Sequence, residues 1–252
     1  MDTSMQQSEY ENIYYSEGKM WWYVGLRDIL LFYIKKFSKK DGIILDAGCG
    51  TGKNIEFLES NGFKVHGIDI SNDAIKFCNQ RNLLNVKCSD ITYIPYESDF
   101  FDVVYSMDVI GNLDEQNREK AIKEFIRVLK KNGIVIINTA AFEWLRSQHD
   151  DIINLKKRLT KSEIKLLFNH QNIKILKLSY RVFLLFFPIA IIKWFKRFIK
   201  IFTKKSYTDL KIPPNIINIF LTKIQLLENK ILRNINLPVG SSLFLILKKN
   251  EI

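Results

Sequence analysis

The chain of 252 residues contains little cysteine, proline or histidine, with three, five and three residues respectively. Its cysteines (Cys49, Cys78 and Cys88) form no Cys-x-x-Cys pair, so we expect a reducing compartment and neither a disulfide framework nor a metal site. The first twelve residues are polar and include acids, which argues against a signal peptide. The apolar stretch 183–192 is interrupted by Pro188 and is far shorter than the roughly 20 residues that span a bilayer.

Arginine is scarce beside lysine, since only nine of the 38 basic residues are Arg. The net charge of +11 would fit a nucleic-acid-binding protein, but Arg is the usual reader of phosphates and bases. Residues 1–140 hold 17 bases and 20 acids, whereas residues 141–252 hold 21 bases and 7 acids. We therefore expect any polyanionic partner to bind the C-terminal part; a lysine-rich genome is the alternative explanation of this asymmetry.

The length and the 47% hydrophobic content suffice for one substantial core. Strands are predicted at 43–45, 65–69, 86–90, 101–106, 134–138, 173–180 and 243–247, and helices at 26–37, 72–81, 114–130, 161–168 and 214–234. Ser71 and Asp114 stand at N-cap positions, and Gly133 is expected to follow the last turn of the helix that precedes it. Apolar strands separated by helices are typical of a parallel sheet covered on both faces, so we predict a doubly wound α/β fold.

Three of the eleven glycines stand at positions 48, 50 and 52, directly after the first predicted strand. Glycine allows positive φ angles and lets a ligand lie against the backbone, and the next helix offers free N–H groups to an anion. A phosphate-binding P-loop would need glycine at Ala47 and serine or threonine at Asn54. A dinucleotide fingerprint would need glycine at Lys53. The pattern that remains is Gly-x-Gly-x-Gly preceded by Asp46.

Residues 45–52, with the sequence LDAGCGTG, resemble the first motif of the class I S-adenosylmethionine-dependent methyltransferases. Segments 65–71, 88–91 and 101–108 resemble the family's second, third and fourth strand motifs in the right order, and 128–133 resembles its turn into the fifth strand. The resemblance implies a mostly parallel seven-stranded sheet, here with helical C-terminal additions. It also implies S-adenosyl-L-methionine as the cofactor.

The resemblance assigns a set of cofactor contacts to this chain. In the family, the acid that ends the second strand accepts hydrogen bonds from the ribose hydroxyls, and the acid after the third strand accepts from the adenine amino group. The implied cofactor-binding residues are Asp46, Gly48, Gly50, Gly52, Asp69, Ile70, Asp90, Ile91, Ser106 and Met107. Ordinary capping at a strand end is the alternative interpretation of Asp69 and Asp90.

Segments 21–27 and 141–150 resemble a bacterial subgroup found with cell-envelope glycan and polyprenyl-lipid enzymes. The chain departs from that group where Gly111-Asn112 replaces a Glu-His pair, and where Leu155 and Leu159 replace a histidine and a tyrosine. If the acceptor requires a base, the predicted catalytic residues are His149 and Asp150. For His149, a position in a surface loop without a catalytic role is the alternative.

Four regions are predicted along the chain. Residues 1–40 form a helical lid segment, 41–180 the cofactor-binding α/β core, 181–238 a basic amphipathic helical insertion, and 239–252 the strand that closes the sheet. The lid hypothesis depends on the aromatic residues Tyr14, Tyr15, Trp21, Trp22 and Tyr23, which could equally form helix core. Tyr14 and Tyr15 are also weaker candidates for a base.

Within the insertion, residues 188–205 are predicted to contain an amphipathic helix with its bases on one face: Lys193, Lys196, Arg197, Lys200 and Lys204. Such a helix is suited to lie on an anionic membrane surface or to contact a lipid substrate. Alternatively, its apolar face covers the acceptor pocket or pairs in a dimer.

The sequence thus predicts a cytoplasmic methyltransferase, free or peripheral on the inner face of the membrane. The predicted acceptor is an amphipathic or anionic small molecule of the cell envelope, such as a lipid-linked or nucleotide-linked sugar or a prenylated ring. An RNA methyltransferase is the alternative enzyme, although residues 106–109 do not resemble a base-flipping Asn-Pro-Pro-Tyr loop and nucleic acid is not the expected partner. A non-catalytic, membrane-associated cofactor-binding protein is the third hypothesis, favoured by Gly111-Asn112.

Overall fold

The computed structural model describes residues 7–39, 41–168, 172–192 and 212–251. In these ranges the named helices are α1 (Gln7–Ser16), α2 (Trp21–Phe37), α3 (Lys53–Glu59), α4 (Asn72–Gln80), α5 (Glu115–Val128), α6 (Gln148–Ile152), α7 (Lys161–Phe168) and α8 (Asn215–Leu232), and residues 186–192 are also helical. The strands are β1 (Ile43–Ala47), β2 (Lys64–Asp69), β3 (Val86–Cys88), β4 (Phe101–Met107), β5 (Leu129–Ala140), β6 (Ile173–Arg181) and β7 (Ser242–Lys249).

The strands form one seven-stranded sheet in the order β3-β2-β1-β4-β5-β7-β6. Strands β1 to β5 pair in parallel, and β7 lies antiparallel between β5 and β6. Apolar layers cover both faces because side chains alternate along each strand; Phe244 and Leu245, for example, belong to opposite layers. The predicted doubly wound α/β fold with helices near the C-terminus is therefore confirmed.

The ends of two elements differ from the sequence-based prediction. Ser71 and Asp114 do cap α4 and α5, accepting from the N–H groups of Ala74 at 3.4 Å and Asn117 at 2.8 Å. However, α5 ends at Val128 and the chain continues directly into β5, so the prediction that Gly133 follows a helix was wrong. Leu129 pairs with Phe101 of β4, and this pairing extends the strand past the local stop signal.

The N-terminal and C-terminal helices belong to the same layer of the fold. On one face of the sheet, α2 packs against α8, and Asn229 of α8 donates a hydrogen bond to the carbonyl of Gly25 at 2.7 Å. Every helix in the described ranges is too short or too polar to cross a bilayer. The basic part of the helix predicted at 188–205, residues 193–205, lies outside the described residues.

Candidate functional site

The sheet contains one point at which the chain reverses its direction of winding. Strand β1 continues to β2 on one side, whereas β4 lies against its other side. Loops after two such strands diverge and leave a crevice at their carboxyl ends, which is where open α/β sheets bind ligands. The glycine loop (residues 48–52) follows β1, Asp69 ends β2 and Asp108 follows β4, so all three lie at this crevice.

The glycine loop has the backbone conformation that its sequence predicts. Gly48, Gly50 and Gly52 have φ angles of 88°, 53° and 82°. At Gly48 an added Cβ would lie 2.4 Å from a methyl carbon of Val109, so the backbone passes too close for a side chain. At Gly50 an added Cβ would meet nothing within 4 Å in the described part of the chain. The loop therefore presents open backbone to the crevice at Gly50.

Gly50→Ala is expected to lower cofactor affinity, because a methyl group at this position would occupy the space against which a ligand lies. The unfolding free energy of this variant should also fall by roughly 1–2 kcal/mol, because alanine is disfavoured at a positive φ angle. Gly62→Ala is the matched control, since Gly62 has a φ of 86° and an equally open Cβ position but lies after α3. Calorimetric titration of both variants checks this expectation, and equal affinities would contradict it.

Asp69 shapes the glycine loop from the end of β2. Its Oδ2 accepts the N–H of Gly50 at 2.9 Å, and its Oδ1 accepts the N–H of Ser71 at 2.9 Å. Burial raises the pKa of Asp69, while these backbone hydrogen bonds oppose the change. Each carboxylate oxygen can accept a second hydrogen bond. Asp69 therefore holds the loop and keeps further acceptor positions, and its contact with the ribose hydroxyls stays a prediction.

Asp46 lies near the end of β1, just before the glycine loop. It is 1% exposed and its Oδ2 accepts the hydroxyl of Tyr105 at 2.8 Å, while its Oδ1 has no hydrogen-bond partner among the described residues. Burial raises the pKa of Asp46 well above its usual value, against the effect of the Tyr105 hydroxyl. This buried position fits a role under the loop, with one oxygen left as an acceptor.

The predicted adenine end lies beside β2 and β3. Ile70 is 48% exposed, which leaves its side chain available to an aromatic ring, and Ile91 is buried. Asp90 uses its Oδ1 to accept the N–H of Thr92 at 2.8 Å, so this oxygen contributes to a local turn. The structure thus places Ile70, Asp90 and Ile91 at one end of the crevice, and their contacts with a cofactor stay a prediction.

The two predicted residues of β4 have different surroundings. Ser106 is fully buried, and its hydroxyl donates to the carbonyl of Ala47 at 2.8 Å. The Ser106 side chain therefore supports the glycine loop, and a direct contact of this residue with the cofactor stays a prediction. Met107 is partly buried in the apolar layer below α2 and α3. It remains at the strand end that faces the crevice.

Asp108 is a site residue that the sequence-based assignment missed. It has a φ of 60°, and its Oδ1 accepts the side-chain amide of Asn138 at 2.8 Å. The indole of Trp22 also donates to its carboxyl group. Burial raises the pKa of Asp108, whereas nearby Arg181 and the hydrogen bond from Asn138 lower it. The sequence signal that could have identified Asp108 is the presence of an acidic residue just after the fourth predicted strand.

The N-terminal segment covers the glycine loop. The carboxylate of Glu17 accepts the hydroxyl of Thr51 and pairs with Arg81 at 2.8 Å, and Arg81 also donates to the carbonyl of Thr51 at 2.8 Å. Arg81 lies 4.2 Å from the ring centre of Tyr14, so this ring contacts the α4 end of the site. Tyr15 is 70% exposed and does not face the crevice. Burial and the nearby carboxylates of Glu17, Asp108 and Glu9 raise the pKa of Tyr23.

Trp22→Ala tests the predicted lid. Because the Trp22 indole bonds Asp108 beside the crevice, its removal is expected to weaken cofactor binding by up to about 30-fold, the upper end of one cation–π contact of roughly 0.5–2 kcal/mol. Trp144→Ala is the control, since Trp144 is 56% exposed and packs against Phe186. An unchanged dissociation constant for Trp22→Ala would remove the lid hypothesis.

The two predicted catalytic residues differ in their burial and in their hydrogen-bond partners. Asp150 is 2% exposed; its oxygens accept from Arg158 at 2.8 and 2.9 Å, and its Oδ2 also accepts the N–H of Ser147 at 2.7 Å. Asp150 is therefore held in a buried ion pair, and its role as a base stays a prediction. His149 is partly buried, and its Nδ1 has no hydrogen-bond partner in the described ranges. It stays a candidate.

Comparison with known proteins identifies a family model that matches part of this chain. Residues 45–137, from the start of the glycine motif into β5, match the family model described as a methyltransferase domain. The tRNA (carboxymethyluridine(34)-5-O)-methyltransferase of Arabidopsis thaliana is 38% identical over 109 residues, which are 43% of this chain and 25% of that protein. Phosphoethanolamine N-methyltransferase 1 of Zea mays is 34% identical over 113 residues, which are 42% of this chain and 22% of that protein. The chain thus spans about a quarter of the length of either relative.

Solved structures support the fold. A SAM-dependent methyltransferase from Archaeoglobus fulgidus superposes with a TM-score of 0.56 at 18% sequence identity, covering 89% of this chain and 93% of the other. At this identity the likeness concerns the architecture. It extends beyond residues 45–137 to the N-terminal and C-terminal parts of the sheet and its helices.

Proposed function

Because residues 45–137 match the methyltransferase domain model, we propose that the chain is a class I S-adenosyl-L-methionine-dependent methyltransferase that transfers the methyl group of this cofactor to a small-molecule acceptor. The observation that carries the proposal is the crevice at β1 and β4, where open backbone at Gly50 adjoins the carboxylate of Asp69. Asp69 is suited to the ribose, Ile70 and Asp90 to the adenine, and the β4 end to the methionyl part.

When bound, the cofactor would supply a methyl group activated on a sulfonium, with the neutral thioether as the leaving group of an in-line displacement. The chain's own contribution is to align the acceptor with that group and to exclude water, which can supply on the order of 7 to 11 kcal/mol. The segment around Glu17 covers the loop from solvent. His149 is the candidate base for a hydroxyl or a protonated amine.

The proposed acceptor is amphipathic or anionic, in keeping with the charge and exposed apolar surface of the C-terminal part. Residues 141–252 carry a net charge of +14. Large apolar side chains are exposed on both sides of the basic segment: Leu184, Phe187, Ile191, Ile192, Ile216, Ile217, Ile219 and Phe220. Apolar side chains next to lysines favour reversible attachment to an anionic membrane surface. We propose a cytoplasmic location with peripheral attachment of this kind.

Sedimentation with vesicles tests the membrane part of the proposal. The protein is expected to sediment with anionic vesicles at low salt and to be released as the salt concentration rises, because salt screens the attraction. Neutral vesicles are the control. Failure to sediment with anionic vesicles at low salt would contradict membrane attachment and leave the methyl transfer proposal intact.

RNA is the second candidate acceptor, because one of the similar proteins is a tRNA methyltransferase. Incubation with cofactor labelled in its methyl group, in parallel with a cell-envelope extract and with total RNA, separates the candidates. Label in lipid or glycan is expected. Label in RNA would favour the second candidate, and label in neither, with cofactor bound, would favour a non-catalytic protein.

A further inference from the structure

A fully buried arginine lies at the carboxyl edge of the sheet, outside the predicted cofactor contacts. Arg181 is the last residue of β6 and is 0% exposed. It pairs with Ser242 of β7, which in turn pairs with Ala140 at the end of β5. Because β6 runs parallel to β5 and β4, this register brings Arg181 to the same edge as Asp108. Both belong to the side of the crevice away from β2 and β3.

The Arg181 guanidinium lacks the hydrogen bonds that a buried cation requires. Its Nη2 donates to the carbonyl of Trp22 at 3.4 Å, while Nε and Nη1 have no partner among the described residues. Three carboxylates favour its charge, those of Glu228, Asp108 and Asp28, and each has another hydrogen-bond partner; Asp28 accepts from Asn229 and Arg233. Glu228 accepts the N–H groups of Val182 and Leu184, and Asp108 accepts from Asn138. Buried donors without acceptors are costly, so such a group requires an explanation.

The surroundings of Arg181 are polar as well as buried. Oδ1 of Asn138 and Oε1 of Gln225 are buried without a partner in the described part of the chain. An added Cβ on Gly25 would lie 3.2 Å from Nη2 of Arg181 and 2.2 Å from Cγ of Gln225, so α2 approaches closely here. Burial lowers the pKa of Arg181 to about 10, and the group stays charged at neutral pH.

Trp22 connects this arginine to the crevice. The guanidinium lies 5.1 Å from the centre of the Trp22 ring, and the indole of the same residue donates to Asp108. Trp22 is itself only partly buried, so replacing its side chain with a smaller one would open space beside the guanidinium. The backbones at Asp108 and Arg181 are three strand spacings apart, which is about 14 Å. The guanidinium can lie closer to Asp108 than this because the arginine side chain is long.

We propose that Arg181 binds an anionic group of the methyl acceptor, a carboxylate or a phosphate, while the methylated atom lies beside Asp108. This inference rests on the proposed methyl transfer function and specifies its substrate class. A planar guanidinium binds either anion through two parallel hydrogen bonds from one edge, Nε with Nη2 or Nη1 with Nη2, and Nη2 keeps a second N–H beside its 3.4 Å bond to Trp22. Asn138 and Gln225 then accept from hydroxyl groups of the same molecule.

Equilibrium dialysis with labelled inorganic phosphate and labelled acetate tests the site without knowledge of the acceptor. The protein is first saturated with S-adenosylhomocysteine, the neutral product form of the cofactor. Arg181→Met is expected to weaken binding of the preferred anion at least tenfold, and Arg181→Lys, which keeps the charge without the paired donors, to weaken it less. Preference for phosphate or for acetate identifies which anion the acceptor carries.

Lys177→Met is the matched control, because Lys177 is a buried base on the same strand whose Nζ donates to the carbonyl of Ile235 at 3.4 Å. It should bind the anions as the parent does. Equal binding by the parent and Arg181→Met would overturn the inference, as would the absence of anion binding by a parent that binds S-adenosylhomocysteine. A parent that fails to bind S-adenosylhomocysteine would instead contradict the proposed function.

If Arg181→Met does not fold, Trp22→Ala decides the question. Removing the ring that covers the guanidinium is expected to strengthen phosphate or acetate binding several-fold. Unchanged binding of both anions by a folded Trp22→Ala protein would overturn the inference. This variant is compared at saturating S-adenosylhomocysteine, so that its expected weaker cofactor binding does not enter the result.

Discussion

Asp69→Ala is expected to weaken S-adenosylmethionine binding by about 100-fold or more. The substitution removes the acceptor for the N–H groups of Gly50 and Ser71, and with it the free acceptor positions that face the ribose. A hydrogen bond to a charged group contributes about 1.5–3 kcal/mol, so the loss of two such bonds exceeds a factor of 100 in affinity. Calorimetry on cofactor-stripped protein measures the change.

Asp73→Ala is the control for Asp69→Ala. Asp73 lies at the start of α4, close in sequence, but its contact is a hydrogen-bonded ion pair with Lys76 on the surface. Its affinity for the cofactor should equal that of the parent. If Asp69→Ala, shown to be folded by circular dichroism, bound the cofactor as tightly as the parent, the proposed cofactor site would be wrong.

Asp150→Ala is expected to lower the free energy of unfolding by about 3–5 kcal/mol. Asp150 and Arg158 form a bidentate pair whose side chains are 3% and 7% exposed, and removal of one partner leaves the other charge buried without compensation. The capping interaction with the N–H of Ser147 is lost as well. Urea unfolding followed by circular dichroism measures the difference.

Asp151→Ala is the neighbouring control for this prediction. The Asp151 side chain is 68% exposed and lies 3.6 Å from Arg146, a surface pair whose loss should change the unfolding free energy by less than about 1 kcal/mol. A stable Asp150→Ala protein that binds the cofactor but has lost methyl transfer would support Asp150 as a base. A destabilised one confirms the structural role.

Local sequence patterns were sufficient to predict most of the fold. The glycine loop was predicted because glycine spacing directly encodes positive φ angles, and the structure has them at Gly48, Gly50 and Gly52. The strands were predicted within a few residues because each is a short apolar run bounded by polar residues or glycine. Gly133 shows the limit of this approach, since pairing of Leu129 with Phe101 continued the strand through a local stop signal.

The candidate site was predictable on its cofactor side and not on its acceptor side. Asp69 and Asp90 end or follow strands, so their position at the sheet edge follows from the strand assignment. The structural role of Asp150 depends on Arg158, and the position of Arg181 depends on Trp22, 159 residues away. A polar residue in a sequence does not reveal whether its partner is a ligand or another buried side chain.

The sequence by itself determined the α/β architecture, the backbone of the glycine loop and the match of residues 45–137 to a methyltransferase domain, because each is encoded by residues close together in the chain. Only the tertiary structure showed that Ser106 bonds to the glycine loop and that Asp150 pairs with Arg158, and that Asp108, Trp22 and Arg181 meet at one sheet edge. The physical reason is that strand register and helix packing fix where a side chain points. The most distant of these contacts, between Trp22 and Arg181, joins residues 159 positions apart.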